Sequence, residues 1–195
     1  MREIKKRVDI MVDLETLGLG DDASIIQIGA IRFDIKTGEV LSEFNQYVDI
    51  TRSTPTVDGG TLLWWLNTNS ELLLKILNGG TRSICVSLMK FNEWIESQEP
   101  EDEHTVYLWG NGILFDNAKI KHNMLKNNIE YPIGYKNDRD VRTLLEMASI
   151  KTGCSESEIK GLINNDGLVE HDAIDDCIYQ ARLVSMCFNM LMEEN

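Results

Sequence analysis

Over residues 8–15 apolar and polar side chains alternate, with Val8, Ile10, Val12 and Leu14 on one face and Asp9, Met11, Asp13 and Glu15 on the other. A period of two belongs to a strand, whose successive side chains point to opposite faces. Residues 24–33 (SIIQIGAIRF) are rich in β-branched side chains, Lys36-Thr37-Gly38 is a turn signal, and residues 39–49 resume an extended pattern. Three antiparallel strands are predicted at the start of the chain.

After Gly59-Gly60 the period lengthens. TLLWWLN and SELLLKILN precede Gly79-Gly80, and residues 83–97 then carry Ile84, Leu88, Phe91 and Ile95 at helical spacing. Residues 104–109 (HTVYLW) read as a buried strand, and residues 115–127, 141–152 and 172–193 as helices. Strands first, then strands alternating with helices, imply a mixed α/β sheet covered by helices. No repeat, low-complexity tract or linker divides the sequence, so residues 1–195 are expected to form one domain with a core of its own. The acidic run EPEDEH around Glu101 reads as a solvated loop.

Composition narrows the picture less than pattern does. Hydrophobic residues make up 43% and charged residues 26%, values of a globular rather than a disordered chain. Cys85, Cys154, Cys177 and Cys187 lack C-x-x-C spacing and a neighbouring histidine cluster, so reduced thiols are expected rather than a zinc site or redox pair. The first residues are basic, but their apolar run is interrupted by Asp9 and Asp13, unlike a signal peptide. With no segment long enough to span a membrane, a soluble cytoplasmic protein is expected. The net charge of −13 argues against tight non-specific binding along a duplex, which requires many phosphate neutralisations. It does not exclude a site for a strand end, where metal ions held by carboxylates supply the positive charge.

Asp13 and Glu15 lie on one face of a strand that otherwise reads as buried, and no Lys or Arg flanks them on that face. Burying two unpaired carboxylates costs several kcal/mol, which a bound cation offsets; the alternative is an edge strand with solvated acids. In Gly110-Asn111-Gly112-Ile113-Leu114-Phe115-Asp116 a strand stops at a glycine-flanked Asn and Asp116 opens a helix. Asp116 is either a first-turn residue satisfying free N–H groups or a site residue at a strand end, where ligands of α/β sheets gather. In His171-Asp172-Ala173-Ile174-Asp175-Asp176, at ~100° per residue, Ala173, Cys177, Ala181, Val184, Phe188 and Leu191 form an apolar stripe. Asp176 falls at its border, facing inward, and Asp175 points to water. His171, just before the helix, is a capping imidazole or a mobile group near Asp176.

Together, D-x-E on the first strand, Asp116 after a later strand and H-x-x-x-x-D on the last helix resemble the DEDDh branch of the DnaQ-like, or RNase T-like, 3′–5′ exonuclease superfamily, across nearly the whole chain. Gly59-Gly60-Thr61 before Trp64-Trp65, Trp109-Gly110-Asn111-Gly112 before Phe115-Asp116-Asn117, and Asn137-Asp138-Arg139-Asp140-Val141-Arg142-Thr143 are similar to exonuclease VIII-type and phage exonuclease A-type members. The resemblance implies a ribonuclease H-like fold: a five-stranded mixed sheet, three strands antiparallel then two parallel, with helices on both faces. Asp13, Glu15, Asp116 and Asp176 match the four acids, as ligands of two ions per site, Mg2+ or Mn2+, and His171 matches the general base. The implied substrate is the 3′ end of nucleic acid, single-stranded DNA before RNA, and the resemblance admits a homodimer.

It also implies that Thr16 and Leu17 contact the terminal nucleotide, with Asn111 and Phe115 lining the site, though Phe115 could equally be core and Asn111 a turn residue. Trp64 and Trp65, the latter foremost, are candidates for base stacking, with core packing the expected role of at least one, since adjacent helical positions cannot face the same way. Arg139 and Arg142 are candidates for phosphate contact or for internal ion pairs. His104 and His122 read as surface residues. Two rival readings stay open: a non-catalytic binding module on the same fold, and a metal-dependent phosphatase acting on small nucleotides.

Overall fold

A computed structural model describes residues 6–98 and 104–193; the acidic run at residues 99–103 and the side chain of His104 lie outside them. The strands β1 (Lys6–Thr16), β2 (Ile25–Phe33), β3 (Val40–Tyr47), β4 (His104–Gly110) and β5 (Asp138–Asp140) form one sheet in the order β3-β2-β1-β4-β5. β1 and β2 pair antiparallel, as do β2 and β3, whereas β4 runs parallel to β1 and β5 parallel to β4. This is the mixed sheet expected, three antiparallel strands and then two parallel ones.

The alternation of β1 sets the two sides of the core. Val8, Ile10, Val12 and Leu14 pack with Leu88, Phe91 and Ile95 of α3 (Ile84–Ser97) and with Ile120 and Met124 of α4 (Asp116–Lys126). On the opposite face Met11 and Trp109 meet Val141, Leu145 and Ala148 of α5 (Val141–Thr152) and Cys177, Ala181 and Val184 of α7 (Ala173–Met192). Burying each large aliphatic side chain contributes roughly 1.5–3 kcal/mol, so both helical layers are fixed to the sheet. A third cluster of Leu17, Ile26, Trp65, Leu72, Leu73 and Ile76 closes the end of β1 with α1 (Gly59–Thr68) and α2 (Ser70–Gly79).

Side-chain caps start the helices where the sequence changes period: Asp58 accepts from the Thr61 N–H, Asn69 from Leu72, Ser83 from Val86 and Asp140 from Thr143. The pattern along the chain did not locate two of the elements. β5 is three residues long, too short for an alternation to register, and α6 (Glu156–Lys160) is a single turn held by a Ser155/Glu158 capping box. Among the described residues no helix is long and apolar enough to cross a membrane.

Candidate active site

Asp13 and Glu15 project from the last turn of the pleat in β1, opposite Gly29 and Gln27 of β2. Gly29 decides what covers them. A Cβ there would lie 2.6 Å from the backbone carbon of Ala173, so only glycine lets the start of α7 lie directly on the sheet. The first turn of α7 then brings Asp176 to the strand acids, and the next turn brings Gln180, whose Nε2 donates to Asp13 Oδ1 at 2.9 Å. Asp116, the first residue of α4, accepts the Leu14 N–H on Oδ1 at 3.2 Å, which ties the fourth acid to β1 between Asp13 and Glu15.

Electrostatically the cluster is unbalanced. Burial raises Asp13 well above its ordinary range, and the charges of Asp116 and Asp176 raise it further. Burial also raises Glu15, helped by Asp13, Asp176 and Asp116. Burial lifts Asp116 to about 7 although the Leu14 N–H and the Arg142 and Lys119 charges pull it down. Asp176 rises to about 6, again chiefly from burial, opposed by His171. None of the four pairs with a Lys or Arg among the described residues.

His171 adopts a left-handed backbone, φ 68°, which few non-glycine residues accept. Its N–H donates to Asp176 Oδ2 at 3.2 Å, and its ring meets Trp64 edge-on at 4.8 Å. One ligating atom each of Glu15, His171 and Asp176 lies within 4.8 Å of the others. Asp172 holds this turn in place: it is buried, caps α7, and accepts from Gln27 Nε2 and Lys75 Nζ, each at 3.1 Å. Asp175 does not simply face water, as the helical wheel implied; it is half-buried and accepts the Val169 N–H at 2.9 Å.

Two cavities flank the acids. One, of about 500 Å³, is lined by Asp13, Asn111, His171, Asp176, Tyr179 and Gln180. The other, of about 510 Å³, is mostly apolar, with Thr16, Leu19, Thr61, Trp64, Trp65 and Phe115 in its walls. Thr16, Asn111, Phe115 and Trp65 thus line one or other of these cavities, whereas Leu17 and Arg139 line neither. Leu17 is core, packed with Ile26 and Trp65, and Leu19, 78% exposed, stands at the rim instead. Trp65 is only 1% exposed and spends its indole N–H on the Thr16 carbonyl at 3.0 Å, whereas Trp64 is 44% exposed. Arg139 donates to the carbonyls of Lys136 and Asp138 and lies 4.4 Å above the Tyr107 ring. His122, expected at the surface, meets Asp22 there at 3.0 Å.

Three contributors escaped the sequence reading. Gln180 lies four residues after Asp176 on one helix face, a spacing that could have drawn attention to it. Gly29 interrupts a β-branched strand, which signals a close approach. Lys119 gave no signal: its buried ammonium binds the carbonyls of Leu19 and Gly20 and sits 4.6 Å from the Phe115 ring centre, pinning the loop after β1. The four acids are hard oxygen donors whose raised pKa values report an unmet need for positive charge, and they fit Mg2+ or Mn2+ in kind and number.

Residues 8–188 match the family described as 3′–5′ exoribonuclease Rv2179c-like domain. An exodeoxyribonuclease of Enterobacteria phage T4 is 26% identical over 194 residues, covering 87% of this chain and 84% of that protein. The nuclease domain of 3′hExo, a DEDDh family member bound to rAMP, superposes with a TM-score of 0.65 at 15% identity, over 93% of this chain and 92% of that one. Cell-death related nuclease 4 superposes with a TM-score of 0.68 at 15% identity over 95% of this chain; the chain spans 65% of that nuclease's length. At such identities the likeness is one of fold, the mixed five-stranded sheet with helices described above.

Proposed function

Because the chain belongs to the 3′–5′ exoribonuclease Rv2179c-like domain family, and is a 3′–5′ exonuclease of the DEDDh type, we propose that it hydrolyses the terminal phosphodiester of single-stranded DNA with two divalent ions. The carrying observation is that Asp13, Glu15, Asp116 and Asp176 are brought from three elements to one place with no basic side chain among the described residues paired to any of them. These four residues would hold the ions, Mg2+ or Mn2+. When bound, the ions neutralise charge developing on the phosphate and acidify the attacking water.

The remaining work falls to side chains of the protein. His171, with a ring nitrogen within 4.8 Å of carboxylate oxygens of Glu15 and Asp176, takes the proton of the attacking water. Gln180 holds Asp13 in one orientation and Asp172 holds the turn that presents His171. The apolar cavity receives the terminal nucleoside: Thr16, Leu19 and Phe115 form its walls, and the exposed Trp64 offers a ring for stacking. The products are nucleoside 5′-monophosphates.

DNA is favoured because the 26%-identical relative is named an exodeoxyribonuclease. An exoribonuclease is the second reading, favoured by the description of the family itself. The two differ in how the 2′ position is accommodated. The test incubates 5′-labelled and 3′-labelled single strands of DNA and RNA with Mg2+, Mn2+ or chelator, beside Asp13→Ala. Stepwise shortening of the 5′-labelled strand only with metal, and none with the variant, supports the reading, and the DNA-to-RNA rate ratio names the substrate. Cleavage in chelator, or equal activity of the variant, overturns it.

A further inference from the structure

The cations near the acids are almost all committed to the protein's own groups. Lys119 holds backbone carbonyls, Lys75 pairs with Asp172 at 3.1 Å, and Arg139 is bound to carbonyls and stacked on Tyr107. Arg142, in the first turn of α5, differs. It is exposed, and among the described residues its guanidinium makes no hydrogen bond or ion pair, yet its charge is close enough to Asp116 to oppose the rise of that carboxyl.

Its setting is specific. The guanidinium lies against Gly112: a Cβ there would be 3.3 Å from Cζ and 3.5 Å from Nε. Gly112 has φ 114°, a backbone that side-chain-bearing residues rarely adopt, so the loop leaves room for the guanidinium where another residue would crowd it. The same short loop supplies Asn111 to the acidic cavity, Phe115 to the apolar one, and leads into Asp116. Arg142 therefore stands at the rim of the site, with the backbone of Gly112 beside it.

We propose that Arg142 is a phosphate-binding residue that grips the strand backbone on the upstream side of the scissile bond; this rests on the exonuclease reading. The scissile phosphate itself is served by the ions at the acids, and a guanidinium among them would meet like charge. A rim position next to Asp116 instead suits a phosphate further along the strand. A planar guanidinium with no partner among the described residues matches two phosphate oxygens at once. In a chain of net charge −13 a polyanionic strand is otherwise repelled, so one local cation carries weight.

The experiment compares wild type, Arg142→Met and Arg142→Lys on two substrates, a short single-stranded DNA and the p-nitrophenyl ester of thymidine 5′-monophosphate. The ester has only the scissile phosphate, with nitrophenolate leaving in place of the upstream nucleoside. For Arg142→Met the KM for DNA is expected to rise about 10-fold with kcat little changed. The salt dependence of log KM is expected to lose about 0.7 of its slope, one phosphate contact on a single strand. Hydrolysis of the ester should change far less than that of DNA, and Arg142→Lys should fall between wild type and Arg142→Met on DNA. An equal loss on both substrates places Arg142 at the scissile phosphate and overturns the proposal, as does an unchanged DNA KM and salt slope. If wild type cuts neither substrate with either metal, the exonuclease reading itself has failed.

Discussion

Replacing Asp116 by Asn should make the metal-free protein more stable while abolishing activity. The Asn carbonyl oxygen can still accept the Leu14 N–H, so the tie between α4 and β1 survives. Burial lifts the Asp116 carboxyl from 3.8 to about 7 in the folded chain. In the unfolded chain it ionises from 3.8 upward, so the folded state loses stability as pH rises from there, and the loss is complete above about 7. At ~1.4 kcal/mol per pH unit the interval amounts to a ceiling of about 4 kcal/mol, and Asp116→Asn also removes one of the charges that raise Asp13. Even 1 kcal/mol moves Tm by about 2–4 °C in a domain of this size.

The assay is thermal unfolding of both proteins in chelator across that pH range. The variant and wild type should melt together near pH 4 and separate steadily to about pH 7, the variant higher, then keep a constant gap. Adding Mn2+ near pH 8 should narrow the gap, because binding stabilises wild type by about 2.7 kcal/mol at a hundredfold excess over Kd and by about 4.1 kcal/mol at a thousandfold excess, and the variant by far less. A variant that is less stable than wild type in chelator near pH 8, or a gap independent of pH, refutes the argument that these acids are mutually repelling and unpaired.

Gln180→Leu keeps the volume but removes the donor on Asp13, so Mn2+ affinity measured by calorimetry should fall about 10-fold or more; unchanged affinity would reduce Gln180 to packing. Gly29→Ala drives a methyl into the Ala173 backbone and should cost about 1–3 kcal/mol in urea unfolding, with activity falling further because α7 carries Asp176, and the turn before it His171, away from β1. The two tryptophans should behave oppositely. Trp65→Ala should destabilise the fold by about 3–5 kcal/mol. Trp64→Ala should leave the melt nearly unchanged but weaken strand binding by about 1–3 kcal/mol, read as KM and as fluorescence anisotropy in Ca2+.

The fold was legible where a period could register. Residues 8–15 alternate cleanly because one face of β1 meets α3 and α4, and the stripe from Ala173 to Val184 is plain because α7 lies flat on the sheet. β5 gave no signal since three residues cannot display a period, and their pairing depends on β4 already being in place. At the site, Asp13, Glu15, Asp116, His171 and Asp176 were each ambiguous alone and were named through the family resemblance that their types and order carry; the structure places them near one another. Substrate-side residues were harder. Leu17 and Leu19, Trp65 and Trp64, and Arg139 and Arg142 are near neighbours that differ in burial and partners through tertiary contacts that a one-dimensional pattern does not carry.

The most direct measurement is the time course of a 5′-labelled DNA strand mixed with metal-free protein, with Mn2+ added midway. The account predicts an intact strand until the addition, then a ladder descending one nucleotide at a time from the 3′ end with release of nucleoside monophosphates. Internal cuts among the first products, or a ladder that begins before metal is added, would contradict it.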